Sequence, residues 1–255
     1  MSQFNKYAAY YDSIYPDKPY EHEVMQLEKF IKQYSKIPVS NIVSLGCGTA
    51  TYEILLAKKG FKIVGVDVSD DMLKIGQEKV HANSLNSKIS LLQGDIRDIN
   101  LDNKFDLVLM MFNIAGYLHT QKDFRMVTKN VQKYLKPGGL FIFDAWNKPA
   151  VEQDPPSDRQ RTIKQGGKLI TRKTKGFLDK QNKLVKIKFE ILEQVGDKSI
   201  KTVSENHPMR YWQINEIQRI LNTEGLQFIK ATSFHDPNKN ISDKEWDMYV
   251  IARQI

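Results

Sequence analysis

The residues from Asn41 to Ala50, Asn-Ile-Val-Ser-Leu-Gly-Cys-Gly-Thr-Ala, constrain this chain more than any other stretch. An apolar run stops at a Gly-x-Gly turn, and a helical pattern through Ile54, Leu55 and Leu56 begins directly after it. That is a buried strand, a tight turn and a helix start. Glycines let the backbone approach a ligand closely, and a helix N-terminus offers unpaired N–H groups. A second strand, 62–67, ends in Asp67, about 20 residues further on. An acid at that spacing can accept hydrogen bonds from both hydroxyls of a ribose. Gly46, Cys47, Gly48, Thr49 and Asp67 are therefore candidate ligand contacts. Cys47 has no evident base beside it and reads as a small residue under the ligand rather than a nucleophile.

The pattern continues with strand 41–45, helix 50–59, strand 62–67, helix 70–82, strands 88–93 and 105–111, helix 121–134 and strand 139–144. Helix 213–224 and strands 226–234 and 245–253 close the chain. Strands alternating with helices predict an α/β fold with a doubly wound, mostly parallel sheet and right-handed crossovers. Ligands of such sheets sit beyond the carboxyl ends of the strands. The positions to inspect there are Val68, Ser69 and Met72 after the second strand, and Asp95 and Ile96 after the third. Met111, Phe112, Tyr117 and His119 follow the fourth, and Asp144 and Trp146 follow the fifth. Ser69 also suits a helix N-cap, and Thr120 to Asp123 reads as a capping box, so His119 has a plain reading as a residue preceding a helix.

Two segments stand outside this alternation. Phe4, Tyr7, Tyr10, Tyr11, Tyr15 and Tyr20 crowd the first 20 residues, with Tyr7, Tyr11 and Tyr15 spaced to share a helix face. Residues 1–35 read as an N-terminal helical element, either packed on the core or closing as a lid over the ligand, with Tyr11 and Tyr20 inward. Residues 151–206 read as an antiparallel β insert, because Val185, Ile187, Phe189 and Ile191 alternate with Lys186, Lys188 and Glu190. Residues 36–150 and 207–255 form the sheet domain. The net charge of +8 is concentrated in the insert: Arg159 to Lys201 holds 13 Lys and Arg against 4 Asp and Glu. Such a segment suits an anionic partner or a solvated lysine-rich face. Arginine forks fit phosphate oxygens, which nominates Arg159, Arg161 and Arg210.

A single cysteine excludes an internal disulfide. Together with the lack of a leader-like N-terminus or a membrane-length apolar run, this leads us to expect a cytoplasmic protein without a membrane partner. No metal is expected, and a homodimer is left open.

The stretches Val43–Ala50, Val64–Ser69, Gly94-Asp95-Ile96 and Leu135-Lys136-Pro137-Gly138-Gly139 together resemble the class I S-adenosylmethionine-dependent methyltransferases. The resemblance implies a seven-stranded Rossmann-like sheet with S-adenosylmethionine as cofactor. The glycine turn would face the methionine part, Asp67 the ribose and Asp95 the adenine. Two positions depart from the family: Ser44 stands for an acid and Ala50 for a third glycine. Tyr11, the loop 111–118, Trp146, the insert and His207-Pro208-Met209-Arg210-Tyr211 are similar to small-molecule N-methyltransferases, nearest those acting on amino groups of nucleotide-linked sugars. That likeness implies Tyr11, Tyr117 and His119 as residues positioning an amine, and Trp146, His207, Arg210 and Tyr211 as acceptor contacts, the acceptor bearing a phosphate. A nicotinamide dehydrogenase would need a third glycine where Thr51 stands. An RNA acceptor would need more aromatics in the insert than Phe177 and Phe189, so nucleic acid is not the expected partner. A cofactor-binding protein without turnover is the remaining alternative.

Overall fold

Strands that are apolar on both faces need cover on both faces, and that need arranges this molecule. The computed structural model describes residues 8–196 and 198–255; Phe4, Tyr7 and Asp197 lie outside them. In chain order the elements are α1 (Ala8–Ile14), α2 (Tyr20–Tyr34), β1 (Asn41–Leu45), α3 (Thr51–Lys58), β2 (Lys62–Asp67), α4 (Asp70–Ala82), β3 (Ile89–Gln93) and β4 (Phe105–Met110). There follow α5 (Gln121–Tyr134), β5 (Leu135–Trp146), α6 (Lys148–Gln153), β6 (Arg159–Gln165), β7 (Lys168–Asp179), β8 (Leu184–Val195) and β9 (Lys198–Arg210). The chain closes with α7 (Ile214–Thr223), β10 (Leu226–Ser233) and β11 (Asp247–Gln254).

Seven strands form one sheet in the order β10-β11-β5-β4-β1-β2-β3, parallel except at β11, which runs antiparallel to both neighbours. This is the doubly wound sheet expected from the alternation. One side is covered by α2 and α3, where Val24, Leu27 and Phe30 are buried with Ile42 and Leu107. The other is covered by α5 and α7 through Phe124, Val127, Ile217 and Ile220. Truncating one of these leucines to alanine would cost about 2–5 kcal/mol. Among the described residues no helix is long and apolar enough to cross a membrane.

β5 starts at Leu135, earlier than the expected 139, because the chain leaves α5 directly into extended backbone. Lys136 to Gly139 are absorbed as an irregularity between the pairs Phe105–Leu135 and Leu107–Leu140. Pro137 lacks the N–H a regular ladder would need.

The second sheet, β6-β7-β8-β9, is antiparallel throughout. It extends past 206, since His207 pairs with Ile187 and Arg210 with Leu184. Its inward residues Ile170, Phe189, Ile191 and Val203 pack on Ala8, Tyr10 and Ile14 of α1 and on Met72 of α4. Outward lysines are partly paired: Lys186 with Asp179 at 2.8 Å and Lys188 with Glu190 at 2.9 Å. The platform therefore presses α1 against the open end of the large sheet.

Candidate active site

Gly46 and Cys47 both donate to the carbonyl of Val66, at 2.7 and 3.0 Å, which fastens the glycine turn to β2. Gly46 has φ +78°, and a Cβ there would lie 2.6 Å from Ile114. Ala50 holds the left-handed φ of 60° at the N-cap of α3, where a glycine would be unstrained. Ser44 is buried, and Glu53 from α3 hydrogen-bonds to it. A carboxyl thus reaches the base of the turn from the helix instead of the strand. Burial pushes Glu53 up to about 7.

Asp67 accepts from Gly48 N at 2.8 Å and from Ser69 N at 2.9 Å, so backbone donors orient it. Burial raises its pKa, against the pull of those same donors. Asp95 is held by Arg97, whose Nε lies 2.9 Å from Oδ1, and this side-chain bond lowers its pKa.

These groups line one end of a cavity of about 640 Å³, together with Gly46, Gly48, Val68, Met72 and Ile96. The other end is built from side chains. Phe112 and Asn113 are consecutive non-glycine residues with φ of 68° and 54°. Strain of that kind persists where the surroundings enforce it. Asn113 N donates to Asp144 Oδ1 at 2.9 Å, and its own side-chain amide is buried with neither atom partnered. Burial brings Asp144 up to about 7 and also raises Asp247. Tyr11 of α1 and Tyr15 just after it meet Phe112 edge-on, at ring distances of 6.1 and 5.0 Å. Lys18 Nζ lies 4.3 Å from the Phe112 ring centroid and 2.6 Å from Glu23. Tyr117 hydroxyl meets His207 Nδ1 at 2.9 Å. His119 Nε2 donates to the Pro208 carbonyl at 2.7 Å, leaving Nδ1 as its acceptor nitrogen.

Of the residues nominated from sequence, the cavity brings together Tyr11, Tyr117, His119 and Trp146 with Gly46, Gly48, Asp67, Val68, Met72, Asp95, Ile96 and Phe112. The others stand elsewhere. Tyr20 packs its ring on Tyr52 at 5.0 Å, and Cys47 and Met111 are buried in the core. Thr49 bonds to Asp12 at 2.7 Å and Lys79 at 3.1 Å, tying α1 to the turn. Arg159 and Arg161 are exposed on β6, Arg161 pairing with Asp17. Arg210 is buried, bonded to Glu216 at 2.8 Å, with its guanidinium 4.4 Å from the Trp212 ring. Tyr211 bonds to Glu152 at 3.0 Å, and His207 lies behind Tyr117.

Sequence reasoning did not select Lys18, Asn113, Phe234 or Asp247, which also line the cavity, and it marked Asp144 as a position to inspect without giving it a role. Asp144 was signalled by its place after the fifth strand. Asp247 was not, because β11 is antiparallel and brings its first residue, not its last, to this rim.

Residues 42–139 match the methyltransferase domain family. That match takes in the glycine turn, the first four strands and the start of β5, and the sheet order with its cavity at the carboxyl edge is the one the methyltransferase resemblance implies. YqeM of Bacillus subtilis (strain 168), which bears a provisional methyltransferase name, is 34% identical over 55% of this chain and 54% of its own length. The chain thus spans about half the length of that relative. The dTDP-3-amino-3,4,6-trideoxy-alpha-D-glucopyranose N,N-dimethyltransferase of Streptomyces venezuelae is 24% identical over 87% of this chain and 90% of its own. Among solved structures, an S-adenosylmethionine-dependent methyltransferase from Clostridium acetobutylicum ATCC 824 superposes with a TM-score of 0.80 at 23% identity, covering 99% of each chain.

The residues present fit an adenosyl group. Gly48 has open space where a Cβ would stand, and Asp67 lines the cavity within reach of a ribose. Exposed Val68 and half-buried Ile96 offer apolar surface for a flat base.

Proposed function

We propose that the protein transfers a methyl group from S-adenosylmethionine to an amino group of a small molecule, a nucleotide-linked amino sugar being the acceptor class. The observation that carries this reading is a single cavity whose two ends differ. One end has the glycine turn and Asp67, the other the amine-compatible groups Tyr11, Tyr117, His119 and Asp144. The Streptomyces venezuelae relative, named for dimethylation of an amino sugar, supports the acceptor class.

The cofactor supplies an activated methyl and a good leaving group, so alignment and water exclusion are what the chain adds. Asp67 would hold the ribose, and Asp95 would accept from the exocyclic amine of the base. Tyr11 of α1 and Tyr15 just after it close the cavity, and Phe112 presents an apolar face that keeps water from the transfer line. An amine must arrive without its extra proton or give it up. His119 Nδ1 and the Tyr117 hydroxyl are placed to orient it. A phosphate on the acceptor would rely on the exposed cations of the platform, such as Arg159, since Arg210 is committed to Glu216. The reaction belongs to the cytoplasm in this reading, where Cys47 stays reduced.

Calorimetry with S-adenosylmethionine and S-adenosylhomocysteine, followed by assay of S-adenosylhomocysteine release with a dTDP-3-amino sugar, tests the proposal. Binding of both cofactor forms and release that requires the amino sugar support it. Binding without release for any amine would reduce the protein to a cofactor-binding module.

A further inference from the structure

Three side chains stand in a row behind the acceptor end of the cavity. The Tyr117 hydroxyl is 2.9 Å from His207 Nδ1, and His207 Nε2 is 3.2 Å from Glu205 Oε2. Tyr117 lines the cavity. The His207 side chain is 1% exposed and that of Glu205 11% exposed, so the row leads away from the cavity into the platform. Glu205 and His207 are two apart on β9 and so share one face of the strand. Phe189 of β8 covers the imidazole at a ring distance of 5.0 Å.

Donor chemistry gives the row a direction. A carboxylate only accepts, so Nε2 carries the imidazole proton and points it at Glu205. Nδ1 then accepts from the Tyr117 O–H, and a hydroxyl oxygen that donates in this way can also accept. Burial, with Tyr15, Glu205 and Asp67 nearby, pushes the Tyr117 hydroxyl above its ordinary range, so it stays neutral between transfers.

We propose that Tyr117, His207 and Glu205 form a proton relay that strips the acceptor ammonium before methyl transfer. This rests on the amine-methylation reading above. The ammonium N–H bond breaks and its proton goes to the Tyr117 oxygen. The Tyr117 O–H bond breaks in concert, and that proton forms an N–H bond at His207 Nδ1. The nitrogen keeps the electron pair, which makes the new N–CH3 bond while the C–S pair stays on sulfur. His207 is left as an imidazolium against Glu205. Tyr117 touches the acceptor; His207 and Glu205 are positioning residues that act through it. The platform thus takes part in the chemistry through its last strand.

Two measurements on the whole chain test this. NMR of protein labelled with 15N-histidine should show His207 in the Nε2–H tautomer above neutral pH, and Tyr117→Phe and Glu205→Gln should each shift its ring nitrogens. An Nδ1–H tautomer would overturn the relay. In kinetics with a dTDP-3-amino sugar, His207→Gln should lower kcat roughly 100-fold. KM for both substrates should change less than threefold, and the loss should shrink as pH rises and more acceptor arrives as free amine. Tyr117→Phe should show the same pH recovery. A variant that melts like wild type and keeps its kcat at every pH would sink the proposal, as would a loss that is flat with pH. If wild-type protein does not turn over the amino sugar, the function reading fails, and the tautomer measurement alone then decides the relay.

Discussion

The two ends of the cavity are held by different means. At the cofactor end the fixed points are backbone: the Val66 carbonyl under the glycine turn, and the Gly48 and Ser69 N–H groups on Asp67. At the acceptor end they are side chains from α1, the loop after β4, β9 and β11, meeting only because two sheets and a helix pack together. A backbone-built surface changes little when side chains are substituted. A side-chain-built surface changes with every substitution, and its buried carboxyls and phenols shift their proton affinities. The first arrangement suits a ligand shared by a whole family, the second an acceptor particular to one member.

The comparison is broken most directly at Asp67. Asp67→Ala should weaken S-adenosylmethionine binding about 100-fold by calorimetry, since two charge-assisted hydrogen bonds are lost. A change below threefold in a folded variant would mean that the backbone end does not hold the ribose. Arg210→Ala should act on stability rather than on the acceptor. It takes the nearest cation from buried Glu216, which keeps only the Gln121 amide and Lys183 at 3.7 Å, at a cost of about 3 kcal/mol in denaturant titrations. A tenfold rise in acceptor KM with unchanged stability would instead place Arg210 at the acceptor end.

Asp144→Asn sharpens the contrast through pH. Asp144 sits at about 7 in the folded protein, above the value of about 4 for an exposed carboxyl. Between those values the unfolded chain ionises while the folded one keeps its proton, so stability falls as pH rises through that window. The variant lacks this loss and keeps the bond from Asn113 N. Its melting temperature relative to wild type should therefore climb from pH 5 to pH 8. Glu53, also near 7, keeps part of the slope in both proteins. An advantage that does not grow with pH would show Asp144 already ionised. The smallest effect is expected from salt. Raising it from about 50 to about 300 mM should lift acceptor KM two- to threefold through the exposed platform cations, and leave cofactor affinity nearly unchanged.

The cofactor end was legible because each of its parts is local. A glycine turn between strand and helix, and an acid ending the next strand, carry their geometry within ten residues. The strand-helix alternation fixed the sheet for the same reason. The acceptor end was only half legible. Tyr117 and His119 could be named from their places beside the sheet rim, and Tyr11 from its helix-face spacing and the family likeness, and all three line the cavity. Asp247 could not, since its position depends on the direction of the strand that carries it. Arg210 read as a phosphate ligand by residue type, yet a glutamate six residues later in the next helix holds it. The Glu53 carboxyl beside Ser44 arises only from the way α3 docks.

The place of β11 has a consequence for how the chain is made. It lies between β10 and β5, pairing from Trp146–Asp247 to Leu140–Arg253. As the chain leaves the ribosome, the Leu140–Trp146 edge of the central sheet emerges first and waits while the entire platform is synthesised. During that interval it is an open apolar edge able to pair with other strands. Closing so long a loop is also slow relative to local pairing. The newborn chain therefore depends on β11 to cover this edge, and aggregation should track how long synthesis takes to cross the platform.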